Sequence, residues 1–448
     1  MQFTRYSILA LGIAGALAAG NAHGAAFQLK ENSAKGQGRA FAGSASAPDD
    51  AAIVANNPAG MRLLDGRQFQ FDLSTISFSA KYQGDGGRYA GPTGAGQGLP
   101  ISGGNGGDAG KIAPLPAAYF HLPFGENDNM HFGASLTVPF GFETKYDRDW
   151  VGRYVGTKTK LEAIDAALAF SYDVNPYVSF GASVFVERLN IDLAGAMDLG
   201  AALYGKVPGF TPGSADAYNR IKGNNTEYGY TLGGLFSIDE GTNIGLTYRS
   251  SVKHKITDGT AKFTADSTAG QQALTVLRSL GLFVDSKGSA NITLPASATM
   301  SFTHRVNDRW SVMADLSRTA WSKFDRVMVN LDSGQVLPLE FNYRDTTFGS
   351  IGADYRFSDT LTFRGGLAYD QTPTTDAHRD VRVPDTTRKW LSLGLTWAPS
   401  ERAEYSFGYT HLFTKDPKVQ LVSAYSSTLA GTYDVGGDVL AASINYKF

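Results

Sequence analysis

From residue 68 to the carboxyl terminus, segments of about ten residues alternate apolar and polar side chains, and their connections are alternately short and long. Six connections are tight polar turns, at Glu126–Asn129, Asn175-Pro176, Asp239–Asn243, Asn307–Arg309, Ser358-Asp359 and Pro399–Arg402. The intervening ones are long and rich in Gly, Ser, Asp or Lys. Six short and seven long connections predict fourteen antiparallel strands, with both ends of the barrel chain on the short-turn side. A closed transmembrane β-barrel has this pattern, with short turns at one membrane face and long loops at the other. The period of two is explicit in Phe132, Ala134, Leu136 and Val138, and in Tyr228, Tyr230, Leu232, Phe236 and Ile238.

Composition narrows the choice. A helical membrane protein needs apolar runs of roughly 18 residues or more, and the chain after its first 24 residues has none. A net charge of −2 excludes a strongly basic nucleic-acid face. With Cys 0 there is neither disulfide nor thiolate chemistry. The start reads Met1-Gln-Phe-Thr-Arg5, then an apolar stretch from Ile8 to Ala19, then Ala22-His-Gly24. This is the layout of a secretory signal. It predicts residues 1–24 as a signal peptide, a mature start near Ala25, and export to the bacterial outer membrane.

Residues 25–66 lack strand alternation and are too few to bury a core alone. Ahead of a barrel spanning residues 67–448, they are expected to fold into its lumen as a hatch, the alternative being a loose periplasmic tail. The connection at residues 84–110 carries 12 Gly and is expected to be mobile. Two long connections carry apolar clusters, namely Leu203, Tyr204 and Phe210, and Leu274, Leu277, Leu280 and Phe283, the latter at near-helical spacing. They either pack on each other to cap the barrel or offer a landing site for an apolar solute.

Pro139, followed by Gly141, is the most telling single position. Proline cannot donate to a strand ladder, so it predicts a kink or gap in the third strand, or else fraying above the membrane. Arg188 and Arg344 are candidate partners for a carboxylate, because lipid-facing Arg near the midplane would cost roughly 2–4 kcal/mol. Enzymatic chemistry finds no support. There is no G-x-S-x-G elbow and the histidines have no metal spacing, while Asp49-Asp50 reads as solvated carboxylates rather than an acid pair. No cofactor is expected. A lipid hydrolase and an open polar porin remain as readings from other classes.

Phe27-Gln-Leu-Lys-Glu31, Gly36-Gln-Gly-Arg-Ala40, Asn57-Pro-Ala59, Trp321-Ser322 and Arg382-Val-Pro-Asp-Thr-Thr-Arg388 together resemble the FadL-type long-chain fatty acid transporters and their aromatic-hydrocarbon relatives. The resemblance runs from Ala25 to Phe448. It implies a fourteen-stranded barrel plugged by an N-terminal hatch and passive uptake of hydrophobic molecules, either long-chain fatty acids or toluene-like hydrocarbons. Capture would occur between outer loops and release sideways through the kinked third strand. Phe27 matches a pocket residue, Asn57, Pro58 and Ala59 the hatch motif facing the kink, and Gly141 the kink itself. Arg344 matches a basic position that meets the carboxylate, and Arg188 a second. The partners expected are the hydrophobic ligand, outer-membrane lipid and lipopolysaccharide around a monomer, and the barrel-assembly machinery, through the aromatic ending at Phe448.

Overall fold

The computed structural model describes residues 26–84, 86–89, 98–422 and 427–448; the expected signal peptide lies outside them. Among the described residues, fourteen strands close into one antiparallel barrel. They are β1 (Gln68–Gln83), β2 (Ile112–Phe124), β3 (Met130–Lys145), β4 (Lys158–Asn175), β5 (Val178–Asp198), β6 (Asp216–Asp239), β7 (Thr242–Arg249), β8 (Ser297–Arg305), β9 (Trp310–Thr319), β10 (Thr346–Arg356), β11 (Leu361–Asp370), β12 (Arg388–Trp397), β13 (Ala403–Thr414) and β14 (Ser427–Lys447). Each pairs with its neighbours in the chain, and β1 seals the ring against β14, in register from Gln68↔Lys447 to Gln83↔Thr432. The six tight turns fall where the sequence predicts them. A membrane crossing needs about 9–11 residues; β5 with 21 and β6 with 24 therefore rise well beyond the bilayer. There they meet a ribbon of short strands, Val252–Thr264 and Ser286–Leu294, continued by Arg326–Leu331 and Val336–Glu340.

The alternation sorts side chains between lipid and lumen. On β1, Phe69, Phe71 and Leu73 are about 40% exposed, whereas the intervening Gln70, Asp72 and Ser74 are fully buried. The polar inner face is matched by residues 26–64, which pack against it. The Ala34 amide donates to Asp72 at 2.8 Å, the Gly43 amide to Asp315 of β9 at 2.7 Å, and Ser46 bonds Ser301 and Thr303 of β8. Arg39 bridges Asp49 and Asp354 of β10 at 3.0 Å each, and Arg364 of β11 reaches Asp49 at 2.7 Å. Asp49 and Asp50 are therefore not solvated as the sequence suggests. Asp50 is buried and accepts from Ser33 and Gln70. A buried charge persists only when it is paired, and Arg39, Arg364, Asp49 and Asp354 pair with one another. The approach is so close that a Cβ on Gly38 would lie 2.7 Å from the Gly394 backbone of β12.

The glycine-rich connection departs from expectation over residues 98–110. Its backbone is tied down by Val151 N to Gly104 O, Asp147 N to Gly106 O and Lys145 N to Ala109 O. Gly106, at φ +86°, lets the chain pass over the Tyr146–Trp150 stack, whose ring centroids are 4.1 Å apart. Aromatic packing beneath the loop supplies the order that composition alone does not suggest.

Arg39→Met removes the cation shared by Asp49 and Asp354, leaving buried carboxylates under-compensated at a cost of about 3 kcal/mol. The loss should fall on the docking of residues 26–64 rather than on the barrel. Limited trypsin digestion is expected to cut within this segment in the variant and not in the parent, with β-sheet circular dichroism unchanged.

Candidate functional site: a proline-edged gap and two cavities

Among the described residues, the wall of the barrel is incomplete at one place. Pairing between β2 and β3 runs only from Ala118↔Leu136 to Phe124↔Met130. Above it, among the barrel strands, Ile112–Ala117 pairs only with β1 and Thr137–Lys145 only with β4. The sequence of β2 accounts for this. In an antiparallel strand alternate residues direct their backbone groups to opposite neighbours, and the β1 ladder continues past Pro114 and Pro116. The donors these prolines lack therefore belong to the row facing β3, and that row cannot form a ladder. On the other side of the gap, β3 carries an extra residue between Thr137 and Phe140 relative to β4, a β-bulge centred on Pro139.

The backbone groups freed at the bulge are taken by the N-terminal segment. Leu29 N donates to Pro139 O at 2.9 Å and Gly141 N donates to Phe27 O at 2.9 Å, forming an antiparallel bridge centred on Gln28↔Phe140. Phe27–Leu29 thus stands in for β2 as a third strand beside β3. The Phe27 ring locks this bridge in place through edge contacts with Trp321 at 4.6 Å, Phe324 at 5.1 Å and Phe140 at 6.2 Å. The Ala26 amide donates to Asp385 at 2.8 Å, and Arg388 holds the same carboxylate at 3.2 Å.

Two cavities flank this bridge. The first, of about 70 Å³, is lined almost wholly by carbon, including Phe27, Ile191, Ile256, Ile292, Val329 and Phe341, with Lys222 and Arg382 also bordering it. The second, of about 310 Å³, lies beyond Phe142 and Leu161, which line both. It runs from Leu29, Glu31 and Arg388 past Val138 to Ile112 and Pro114, at the unpaired edge of β2. Ile112 is 70% exposed, so this cavity meets the outside of the wall. Burial pushes the Glu31 carboxyl up from its ordinary range and the Lys30 ammonium down, with neighbouring opposite charges offsetting part of each shift.

Over residues 15–448 the chain matches the family described as outer membrane protein transport protein (OMPP1/FadL/TodX). It belongs to that family. It is 30% identical over 443 residues to the long-chain fatty acid transport protein of Escherichia coli (strain K12), which covers 93% of this chain and 94% of that protein. It is 28% identical to outer membrane protein P1 of Haemophilus influenzae, with 96% and 97% covered. The crystal structure of a Pseudomonas aeruginosa FadL homologue superposes with a TM-score of 0.86 at 28% identity, over 95% of this chain and 100% of that one. The Ralstonia pickettii toluene transporter TbuX, at 21% identity, has a TM-score of 0.62 over 89% and 94% and shares the fold. Membership places the barrel in the outer membrane and among transport proteins rather than enzymes.

Against this geometry, the residues singled out in the sequence separate. Phe27, Pro139 and Gly141 come together as described. Asn57, Pro58 and Ala59 do not face the kink. Asn57 bonds Ala45 O at 2.8 Å and Gly234 O at 3.2 Å, and the Pro58–Ala59 backbone seats against Gly181 and Gly233 of β5 and β6. Their neighbours Ala55 and Asn56 are the ones that share a small cavity with Pro139. Arg188 lies on the outer face, in step with Val184 and Val186, and donates to Thr226 at 3.0 Å and Asn224 at 2.7 Å. The structure does not bring it to either cavity, because the inward position beside it belongs to Glu187. Arg344 also stands outside both linings, its Nε and Nη2 buried with no protein partner. Leu203, Leu274 and Leu277 are buried in one apolar core with half-buried Phe210 and Phe283, Tyr204 is half-buried, and Leu280 is exposed. The helix Thr268–Ser279 forms as its spacing predicts, and its apolar face caps the barrel.

Sequence reading missed Pro114, Pro116 and Arg382. The Pro-x-Pro spacing inside an alternating strand was the available signal, since it marks an edge that a closed barrel should not have.

Phe27→Ala empties a close-packed aromatic site at a cost of about 3 kcal/mol. That loss loosens the bridge, so hydrogen-exchange protection of the Leu29 and Gly141 amides should fall by about a hundredfold. Amides of β5 and β6 should be unaffected.

Proposed function

We propose that this protein is a passive outer-membrane channel for hydrophobic molecules, most specifically long-chain fatty acids, which leave sideways through the gap between β2 and β3. The observation that carries this reading is an apolar interior leading to a stretch of wall where neither strand can complete its ladder. The names of the relatives bear on the solute. Those at 28–31% identity over nearly the whole chain include long-chain fatty acid transport proteins, and the neighbours named for toluene are more distant.

The physical problem is release rather than capture. Each CH₂ withdrawn from water contributes about 0.8 kcal/mol, so a C18 chain gains on the order of 10 kcal/mol on entering any dry site. Return to water would forfeit that gain, whereas passage into the bilayer keeps the chain dry throughout. The N-terminal bridge supplies a gate on this path. When Phe27–Leu29 lets go of β3, the two cavities on either side of Phe142 and Leu161 join, and the ligand moves from the first to the wall. Arg382 is the guanidinium positioned to meet a carboxylate in the first cavity. It is held at 2.6 Å by Asp380, an exchangeable partner. The orphaned Arg344 guanidinium is a second candidate, reached only if the loop at Phe341–Asp345 turns inward.

Restoring the missing donors tests the lateral route. Pro114→Val with Pro116→Val lets β2 ladder toward β3, and uptake of labelled oleate by cells should drop at least tenfold while binding by purified protein stays within twofold. Undiminished uptake would exclude this exit. Arg382→Gln should weaken oleate binding about tenfold, the worth of one charge-assisted hydrogen bond, and leave toluene binding unchanged. Equal loss for both solutes would remove the carboxylate role.

A further inference from the structure

We propose that the outward face of β4–β6 and the adjoining Val252–Thr264 ribbon is a docking surface for the phosphorylated sugar headgroup of lipopolysaccharide. The lipid-facing band on β5 ends at Val186, beside Tyr228 of β6, and the next outward residue is Arg188, so Arg188 stands at the outer interface. Above it the same face becomes cationic. Lys222 lies opposite Asp192, four residues further along β5 than Arg188, or about 13 Å at 3.3 Å per residue. Lys255 follows on the ribbon, its carbonyl bonded by Asn225, with its side chain on the opposite side from buried His254.

The arrangement has no internal explanation. Arg220 is directly opposite Lys262 in the ladder, a like-charge pair that disfavours the pairing. The nearby carboxylate, Asp192, is already shared by Arg220 at 2.7 Å and Lys158 at 2.9 Å. Among the described residues, Lys222, Lys255 and Lys262 have no ion-pair partner, and all three are exposed. A row of unneutralised cations held rigidly on a strand ladder, starting at the interface and rising one headgroup depth above it, is complementary to clustered phosphates at that depth. In the outer leaflet those phosphates belong to lipid A and the inner sugar core. A headgroup seated there would also brace β5, β6 and the ribbon, which extend beyond the bilayer without lipid support.

The test uses the whole protein in detergent with divalent cations chelated, and purified lipopolysaccharide micelles as the probe. The triple variant Lys222→Glu, Lys255→Glu, Lys262→Glu should bind at least tenfold more weakly than the parent. An equal charge change on the far rim, Lys389→Glu, Lys415→Glu, Lys418→Glu, should leave binding within twofold. Heat-modifiable migration on gels reports that each barrel is folded, and Lys222→Gln alone, expected to lose two- to threefold, serves if the triple variant does not assemble. Lys222 also borders the first cavity, so the separating variant is Lys255→Glu, Lys262→Glu. It should still weaken lipopolysaccharide binding while leaving oleate binding unchanged, which keeps failure here distinct from failure of the transport reading. Equal weakening by both triple variants, or competition by phosphatidylglycerol vesicles or dephosphorylated lipopolysaccharide as strong as that by the intact glycolipid, would overturn the proposal.

Discussion

In hydrocarbon a backbone N–H or C=O without a partner costs several kcal/mol, so a membrane-spanning sheet must close on itself. Every other property of this barrel follows from how that demand is met, and above all from the one place where it is met indirectly. Between Ile112–Ala117 and Thr137–Lys145 the wall strands do not bond each other. Two prolines withhold donors on one side, and a bulge withdraws the other. The debt at Pro139 and Gly141 is settled by Phe27–Leu29, a segment that belongs to the interior. The same three residues therefore complete the sheet and separate an apolar cavity from a mixed one, and one movement would open both. No additional hinge is required.

The interior insert is held unevenly, and the unevenness is informative. Toward β10 and β11 it is fixed by buried, mutually neutralising charges at Arg39, Asp49, Asp354 and Arg364. Toward β3 it is fixed by two backbone bonds and a set of ring contacts. Breaking a buried ion pair costs more than parting two hydrogen bonds that water or a ligand can replace. Motion should therefore concentrate in residues 26–32, with residues 34–64 staying docked.

The barrel was legible in the sequence because lipid outside and a polar lumen inside impose a period of two that survives in the residues themselves. Strand number, turn positions and the third-strand kink came from that period and from Pro139. The site was legible only in part, because its residues are chosen by neighbours far away in the chain. Arg188 and Glu187 are adjacent, and which of them faces inward depends on the parity of β5, a register that a single break in alternation cannot fix. Asp49 and Asp50 look like solvent-facing acids until Arg39 and Arg364 are brought beside them. Arg382 sits in a segment whose resemblance to relatives is plain, yet nothing local says that its side chain borders an apolar cavity some 190 residues from Ile191, another residue lining it.

The pits that glycine leaves in the inner wall, such as Gly394 opposite Gly38, make the bore and its insert a single mould and casting. A fourteen-stranded cylinder without that insert would be a water-filled tube open to sugars, ions and small antibiotics. The tightness of the outer envelope at this spot thus depends on a few missing methyl groups.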